Sequence, residues 1–242
     1  DPAKGTPMPL DAIFQLASMT KPMAAVAALQ LNEDGRLPLK STLASHYPAF
    51  AGMKVGVPQA DGTLRLDPQA KPIFIHDLFR HTSGLTYGGR GDHPIAKFYP
   101  TGMQPALDGS TADFIERITK LPLAWQPGTV FEYGFSIDVL GAVVEKVAGQ
   151  RILGPKTVAH MTVNHLGPEI RNNVGVVEPH REGFGSGLGV AVRTQPGLSA
   201  VPGNPGEYSW NGANGTQYSA DPRERLLVVV GTAAPGDLRT YY

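Results

Sequence analysis

The chain has 242 residues, 41% of them apolar, and equal numbers of basic and acidic side chains, 21 of each. This composition is typical of a folded globular protein with one large domain or two small ones. The balanced charge gives no electrostatic reason to expect nucleic acid or an anionic membrane as a partner. The absence of cysteine excludes disulfides, thiol catalysis and thiolate metal sites.

The chain ends and the hydropathy carry less information. No apolar run approaches the about 18 residues that a membrane span needs. The first residues, Asp1 to Lys4, are neither an initiator methionine nor a signal peptide, so we expect the natural start to lie upstream. The compartment stays open between the cytoplasm and the periplasm or exterior.

The first predicted helix begins where a hydroxyl and an amine lie three residues apart, at Ser18 and Lys21, which would share one helix face. Residues 23–29 are apolar on every side, which predicts a buried helix, and Gly35 is a suitable stop. A buried lysine is a candidate base, and burial together with the helix dipole is expected to lower its pKa. Ser-x-x-Lys occurs about once by chance in a chain of this length. A simple N-cap role for Ser18 therefore stays open at this point.

The middle of the chain predicts short elements separated by loops. Residues 41–72 predict a loop with a short helical piece, in which residues 60–63 form a turn between two short extended stretches. Residues 75–80 predict two helical turns, and the glycine-rich polar run at 81–89 predicts a loop. Residues 110–121 predict a capped amphipathic helix that Pro122 ends.

Tyr133 precedes another predicted helix, whose apolar face runs from Ile137 to Val147 and whose stop is Gly149. A tyrosine at such a place is usually a core or hydrogen-bonding residue. In the last third, strands are predicted around residues 184–192, 207–212, 216–220 and 226–230. We expect an antiparallel sheet with the final strand central and apolar, and helices followed by strands favour the α+β class.

Four separated motifs occur in order: Ser18-Met19-Thr20-Lys21, His81-Thr82-Ser83-Gly84-Leu85, Tyr133 with residues 136–141, and Trp210-Asn211-Gly212. Together they resemble the motifs of the penicillin-recognising serine hydrolases of β-lactamase-like fold, and most of all the class C branch with its family VIII carboxylesterases. The resemblance implies a bacterial type of α+β protein in which helices flank an antiparallel sheet. It implies a sheet domain from residues 1–40 and 151–242, a mainly helical domain from 41–150, and an active site between them.

The resemblance also implies roles for individual residues. Ser18 would be the nucleophile that forms an acyl-enzyme, and Lys21 and Tyr133 would converge on it, with the identity of the base left open. The backbone N–H groups of Ser18 and Ala213 would form the oxyanion hole. The expected substrate-binding residues are Trp210, Asn211, Gly212, Phe135 and Ser136. Neither a cofactor nor a metal is expected.

The sequence departs from the family pattern in three places. Phe135 stands where a Tyr-x-Asn motif has asparagine, and Ser136 is the proposed polar substitute. Strands before the first helix, and several dozen residues between Gln150 and Arg151, are missing, and we expect them to be absent from the given residues rather than from the protein. Trp210 stands where lactam-recognising relatives carry lysine. A carboxylate would lack a charge partner there, which favours neutral esters over β-lactams.

The sequence thus predicts a serine esterase acting on a small-molecule ester, with the oligomeric state undetermined. A β-lactamase, D,D-peptidase or acyltransferase of the same fold is the nearer alternative, and a non-catalytic binding homologue is the distant one. Ser199 lies in a Gly-x-Ser-x-Val run that fails the nucleophile-elbow pattern at its last position. His160 and His165 are five residues apart on a predicted helix, which separates their faces, so we expect solvated side chains and no metal pair.

Overall fold

The structure is a computed structural model that describes residues 16–90, 93–101, 110–147, 159–213 and 215–231. The expected upstream start, the stop at Gly149 and the junction between Gln150 and Arg151 lie outside these described residues.

The helices predicted near residues 23, 75, 111 and 137 are confirmed. The α-helices are α1 (Thr20–Glu33), α2 (Ile75–Phe79), α3 (Thr111–Thr119), α4 (Ser136–Val147) and α5 (Val174–Val177). Short 3-10 turns cover Ala17–Met19, Leu43–Ser45, Pro48–Gly52, Pro94–Phe98 and Pro179–Arg181. Helix α3 begins with the predicted cap, because Ser110 Oγ accepts from the Asp113 N–H and the Asp113 carboxylate accepts from the Ser110 N–H.

The described strands form a hairpin and a larger antiparallel sheet. The hairpin pairs β1 (Lys54–Pro58) with β2 (Leu64–Pro68), and its turn contains Gly62 at a φ of 82°, in the left-handed region that favours glycine. The sheet contains β3 (Phe184–Ser186), β4 (Ala191–Arg193), β5 (Tyr208–Asn211), β6 (Gln217–Asp221) and β7 (Leu226–Val230), and their spatial order equals their chain order.

The position predicted for the final strand is wrong. Within the described sheet β7 is an edge strand that pairs only with β6, not a central strand. Leu226, Leu227, Val228 and Val229 on β7 are 42% to 66% exposed, so neither face of this strand is buried. The apolar composition of residues 226–230 predicts a strand that is buried on both faces. The short β6–β7 turn places β7 next to β6, and the composition alone does not show whether another strand pairs with its other side.

Helix α1 packs along α4 and joins the main apolar core. Ala25, Ala28 and Leu29 on α1 have no exposed surface and share one apolar cluster with Leu140 of α4. Met23 is 55% exposed, so α1 is buried on one side and not on every side as predicted. The cluster contains residues from both predicted domains, and the two-domain division stays a prediction.

Candidate active site

Ser18 lies in the 3-10 turn that leads directly into α1. Ala17 before it has a φ of 48°, a left-handed conformation that costs an alanine about 1–2 kcal/mol. The N-cap residues of the turn and of α1 are Leu16 and Met19, so Ser18 is at neither cap position and the simple N-cap interpretation is removed. Lys21 follows one turn later with Nζ 3.5 Å from Ser18 Oγ, at the outer limit of a hydrogen bond.

Tyr133 reaches Ser18 from the loop before α4. Its hydroxyl donates to Ser18 Oγ over 2.7 Å, an ordinary length for an O–H···O bond. Gly134 allows this approach, since a Cβ there would lie 2.5 Å from the Cα of Thr86. The Tyr133 ring lies 4.8 Å from the ring of His81, centre to centre. The structure therefore brings together the three residues that the motifs single out.

The side chains of Tyr133 and Asp138 determine the charge state of Lys21. Its side chain is 6% exposed, and Asp138 Oδ2 lies 3.8 Å from Nζ. Burial lowers the pKa of Lys21, but the charges of Tyr133 and Asp138, with hydrogen bonding to Tyr133, raise it more, so the pKa lies above the ordinary 10.5. The lowered pKa predicted from the sequence is wrong, because the pattern showed the burial of Lys21 but not how closely Tyr133 and Asp138 approach its ammonium group.

Tyr87 and His81 support this arrangement. The Tyr87 hydroxyl donates to Asp138 Oδ2 over 2.8 Å, and burial together with Asp138 raises the pKa of Tyr87 well above its usual value, so Tyr87 remains a donor. His81 has its pKa well below the usual value because it is buried beside Lys21. It stays neutral, and its Nδ1 accepts from the Gly134 N–H over 3.4 Å.

Phe135 and Ser136 occupy places other than those predicted. Phe135 packs in the core, with its ring 4.4 Å from that of Tyr87. Ser136 has no exposed surface and forms a 2.8 Å hydrogen bond with Ser83 of the loop at residues 81–89. The polar partner of Lys21 is Asp138 instead. Asp138 lies in the first turn of α4, where acidic residues are common, so its presence there gives no sign of a role beside Lys21. Only the spacing between Tyr133 and Asp138 could have indicated that role.

Strand β5 brings the fourth motif to the nucleophile. Gly212 packs against the turn of Ser18, because a Cβ on it would lie 2.4 Å from the carbonyl oxygen of Leu16. Thr216 Oγ1 donates to the same carbonyl over 3.2 Å. Ala213 is exposed, and its N–H donates to no backbone carbonyl of the described residues. The turn that contains Ser18 and the segment that follows β5 thus lie side by side, as the predicted oxyanion hole requires. The oxyanion hole itself stays a prediction.

Trp210 and Asn211 of β5 contact charged residues. Trp210 is 4% exposed, its indole Nε1 has no hydrogen-bond partner in the described residues, and the guanidinium of Arg181 lies 5.1 Å from its ring centre. Asn211 Nδ2 donates to Glu178 Oε2 over 3.3 Å. A cation, Arg181, therefore does lie close to Trp210, where the sequence predicts that a carboxylate lacks a charge partner.

The competing signals have structural explanations. Ser199 Oγ donates to the backbone carbonyl of His180 on the exposed surface. The helix predicted across His160 and His165 is wrong: it ends at Met161, and the two rings lie 4.7 Å apart instead of pointing to separate faces. His165 is half-buried beside His76 rather than solvated.

Two kinds of feature are absent from the described part of the chain. It contains no group of three or more His, Asp or Glu side chains placed to hold a metal ion. None of its helices combines the length and the apolar character that a bilayer span needs.

The fold and the convergence of Lys21 and Tyr133 on Ser18 are those of serine hydrolases with a β-lactamase-like fold. The chain belongs to the Beta-lactamase family, whose model matches residues 1–153 and so includes all three side chains. The resemblance found in the motifs is therefore confirmed at the level of the family.

A relative supports the hydrolase class. Esterase EstB of Burkholderia gladioli is 33% identical over 265 aligned positions, which cover 98% of this chain and 62% of EstB. Since the alignment is longer than the 242 residues of this chain, EstB carries internal segments that this chain lacks.

Solved structures establish the fold. Simvastatin synthase (LovD) of Aspergillus terreus matches with a TM-score of 0.74 at 18% identity, over 94% of this chain and 80% of that one. EstCE1, a hydrolase with promiscuous acyltransferase activity, matches with a TM-score of 0.72 at 21% identity, over 97% of this chain and 83% of that one. The predicted α+β fold of the β-lactamase type is confirmed.

Proposed function

We propose that the protein is a serine carboxylesterase of the family VIII type that cleaves small esters through an acyl-enzyme on Ser18. The observation that carries the proposal is the 2.7 Å contact between the hydroxyls of Tyr133 and Ser18, beside the buried ammonium of Lys21. The esterase EstB and the hydrolase EstCE1 support the same reaction class.

Tyr133 is the base in this proposal. Lys21 has a raised pKa and so keeps its proton, and its Nζ is farther from Ser18 Oγ, at 3.5 Å, than the tyrosine hydroxyl. The ammonium lies 5.2 Å from the centre of the Tyr133 ring and stabilises negative charge on the phenolic oxygen. Lys21 thus acts as the cation that makes Tyr133 a proton acceptor.

The reaction has two half-reactions. The phenolate of Tyr133 takes the proton of Ser18 as Oγ attacks the ester carbonyl carbon, and it returns that proton to the leaving alcohol when the ester C–O bond breaks. Water then attacks the acyl-enzyme, Tyr133 accepts its proton, and Ser18 Oγ leaves with that proton as the acid is released. The N–H groups of Ser18 and Ala213 are the proposed donors to the oxyanion in both steps.

Substitution of the nucleophile tests the proposal. Ser18→Ala is expected to abolish hydrolysis of p-nitrophenyl butyrate and labelling by a fluorophosphonate. Its thermal midpoint should stay near that of the wild type, because Ser18 makes no cap hydrogen bond. Ser199→Ala is the matched control and should keep both activities. An acyl-enzyme mass in Ser18→Ala, or its loss in Ser199→Ala, would contradict the assignment.

A β-lactamase is the rival within the same fold. The buried ring of Trp210 at the expected lysine position favours esters, so we expect kcat/KM for p-nitrophenyl butyrate to exceed that for nitrocefin. Equal or better turnover of nitrocefin would replace the esterase proposal with the lactamase one. Capture of the acyl group by added methanol in place of water would add acyltransferase activity, an activity that EstCE1 also has.

A further inference from the structure

Arg90 places a second cation beside Tyr133, and the proposed mechanism does not use it. Its guanidinium carbon lies 5.3 Å from the centre of the Tyr133 ring. Tyr133 thus contacts Ser18 with its hydroxyl and Arg90 with its ring, so one side chain links Arg90 to the nucleophile. Arg90 is 34% exposed, whereas Lys21 is 6% exposed, so a ligand entering from solvent can reach Arg90.

One N–H-bearing nitrogen of Arg90 has no hydrogen-bond partner among the described residues. The ion-pair partner of Arg90 in the described part of the chain is Glu178, with Nη1 3.8 Å from Oε1, beyond the about 2.7–3.2 Å of an N–H···O hydrogen bond. Nη1 is the nitrogen without a partner, and it is buried. A guanidinium carries five N–H donors in a planar fork, and a buried donor without a partner is costly. An oxygen-rich anion would satisfy these donors.

Glu178 orients Arg90 without satisfying it. The carboxylate is 7% exposed, and its Oε2 accepts from Asn211 Nδ2 over 3.3 Å. Its other oxygen faces Arg90. Glu178 therefore links Arg90 to strand β5, on the side of the site where the substrate is expected to lie. The guanidinium is held at this edge, and the Arg90 side chain stays 34% exposed.

We propose that Arg90 binds a carboxylate on the substrate, so that the preferred substrates are esters that carry a free carboxylate, such as monoesters of dicarboxylic acids. This inference rests on the proposed esterase function and names its substrate class. A planar guanidinium pairs with a carboxylate through two parallel N–H···O bonds, which fixes both the position and the orientation of the ligand. Arg90 follows the loop at residues 81–89 and provides a cation in addition to Arg181, which lies against the ring of Trp210.

A matched pair of esters tests the proposal. The p-nitrophenyl monoester of glutarate carries a terminal carboxylate where p-nitrophenyl pentanoate carries a methyl group. We expect the wild type to prefer the anionic ester. Arg90→Gln should lower the ratio of the two kcat/KM values by at least about tenfold, through a higher KM for the anionic ester, since a hydrogen-bonded charge pair is lost. Arg90→Lys keeps the positive charge but not the planar fork of N–H donors, so its ratio of kcat/KM values should lie between those of the wild type and Arg90→Gln.

Control variants separate this effect from a general loss of charge or of folding. Lys97→Gln removes an exposed cation of the same segment, outside the site, and should leave the ratio unchanged. The thermal midpoint of Arg90→Gln should match that of the wild type. An unchanged ratio in Arg90→Gln, or an equal drop in Lys97→Gln, would overturn the proposal.

A binding measurement makes the result independent of turnover. Trp125 and Trp210 are the only tryptophans of the chain, so intrinsic fluorescence reports on ligands near β5. Monomethyl glutarate should bind the Ser18→Ala variant at least about tenfold more tightly than the Ser18→Ala, Arg90→Gln double variant. Dimethyl glutarate should not distinguish the two. Arg90-dependent binding without any ester hydrolysis by the wild type would contradict the esterase function alone. Hydrolysis without Arg90-dependent binding would contradict the carboxylate site alone.

Discussion

Asp138 connects Tyr87 with Lys21, the cation that assists Tyr133 in the proposed mechanism. It accepts a hydrogen bond from Tyr87 and pairs with Lys21 across 3.8 Å. Because Lys21 is buried, its positive charge depends on such partners. Asp138 therefore helps to keep Lys21 protonated, although Asp138 does not contact Ser18 in the described residues.

Replacement of Asp138 by asparagine should weaken catalysis and shift its pH dependence. Removing the carboxylate takes away one of the influences that raise the pKa of Lys21, while the burial that lowers it remains. Lys21 then loses its proton at a lower pH, so the basic limb of the kcat/KM profile moves to lower pH. We expect kcat/KM to fall roughly tenfold to a hundredfold, as for a lost hydrogen bond to a charged group.

The control for this prediction is Tyr87→Phe, which removes the hydroxyl but keeps the carboxylate. Its basic limb should stay closer to that of the wild type than the limb of Asp138→Asn. An unshifted basic limb in Asp138→Asn would mean that Asp138 does not hold the charge of Lys21.

The motifs identified Ser18, Lys21 and Tyr133 but not Asp138, for a geometric reason. Successive residues of an α-helix are rotated by about 100°, so Ser136 and Asp138 point to nearly opposite sides of α4. Since Ser136 bonds to Ser83, Asp138 turns toward Lys21. Because Phe135 stands where asparagine was expected, the sequence pointed to Ser136, the next residue, as the polar substitute. The rotation of the helix instead brings Asp138, three positions after Phe135, to Lys21. Arg90 lies in no motif and could be found only from its contacts.

Helix α2 and the segment after Met161 are joined by a pair of histidines. His76 Nε2 lies 3.2 Å from His165 Nδ1, and Arg80 donates to the carbonyl of His165 over 3.1 Å. Burial, with smaller effects from Arg80 and His165, lowers the pKa of His76 from 6.5 to about 4. The His165 ring also has a lowered pKa, mainly because of burial. Both rings are therefore neutral in the folded protein at neutral pH.

This pair should make the fold sensitive to mild acid. As pH falls below the ordinary histidine pKa of about 6.5, the unfolded chain binds protons that the folded chain does not, so stability decreases until the pH reaches about 4. His76→Phe keeps a ring at this contact and cannot titrate. We expect the drop in urea midpoint between about pH 7 and about pH 5 to be smaller in His76→Phe than in the wild type.

The exposed His160 supplies the comparison for that measurement. His160→Gln should retain the wild-type drop in midpoint, because burial, the main cause of the lowered pKa of His76, does not depend on this exposed ring. If His76→Phe and the wild type lost stability equally on acidification, another group would have to carry the pH dependence.

The element types were predictable because periodicity and capping are local. The cap of α3 and the turn at Gly62 occur where the sequence placed them. The order of strands is not local. Residues 226–230 have the composition of a central strand, yet the tight connection after β6 places β7 at the edge of the described sheet.

At the scale of the whole molecule, β7 is the outermost strand of the described sheet, and its apolar side chains are exposed there. Exposed, unpaired edge strands with apolar side chains pair readily with other chains. The double substitution Leu227→Lys and Val229→Lys places charges along this edge, so we expect less concentration-dependent aggregation by light scattering. Ester turnover should be unchanged, because no residue of β7 belongs to the site.

Val176 gives the control for this prediction, since it is 75% exposed but lies in the short helix α5 and not on a strand edge. Val176→Lys should leave aggregation nearly unchanged. Equal scattering by the β7 double variant and the wild type would show that this edge does not mediate association.

The contact between Leu16 and Thr216 sets the order in which the enzyme can become active during its synthesis. These residues are 200 positions apart, and Gly212 beside them closes the wall next to Ser18. At about 5–20 residues per second, a ribosome needs roughly 10–40 s to pass from one to the other. Throughout that interval the serine, the lysine and then the tyrosine leave the ribosome without the hairpin that completes their site. Under the proposed esterase function, we therefore expect nascent and prematurely ended chains to be unreactive toward esters until β5 and β6 have been made.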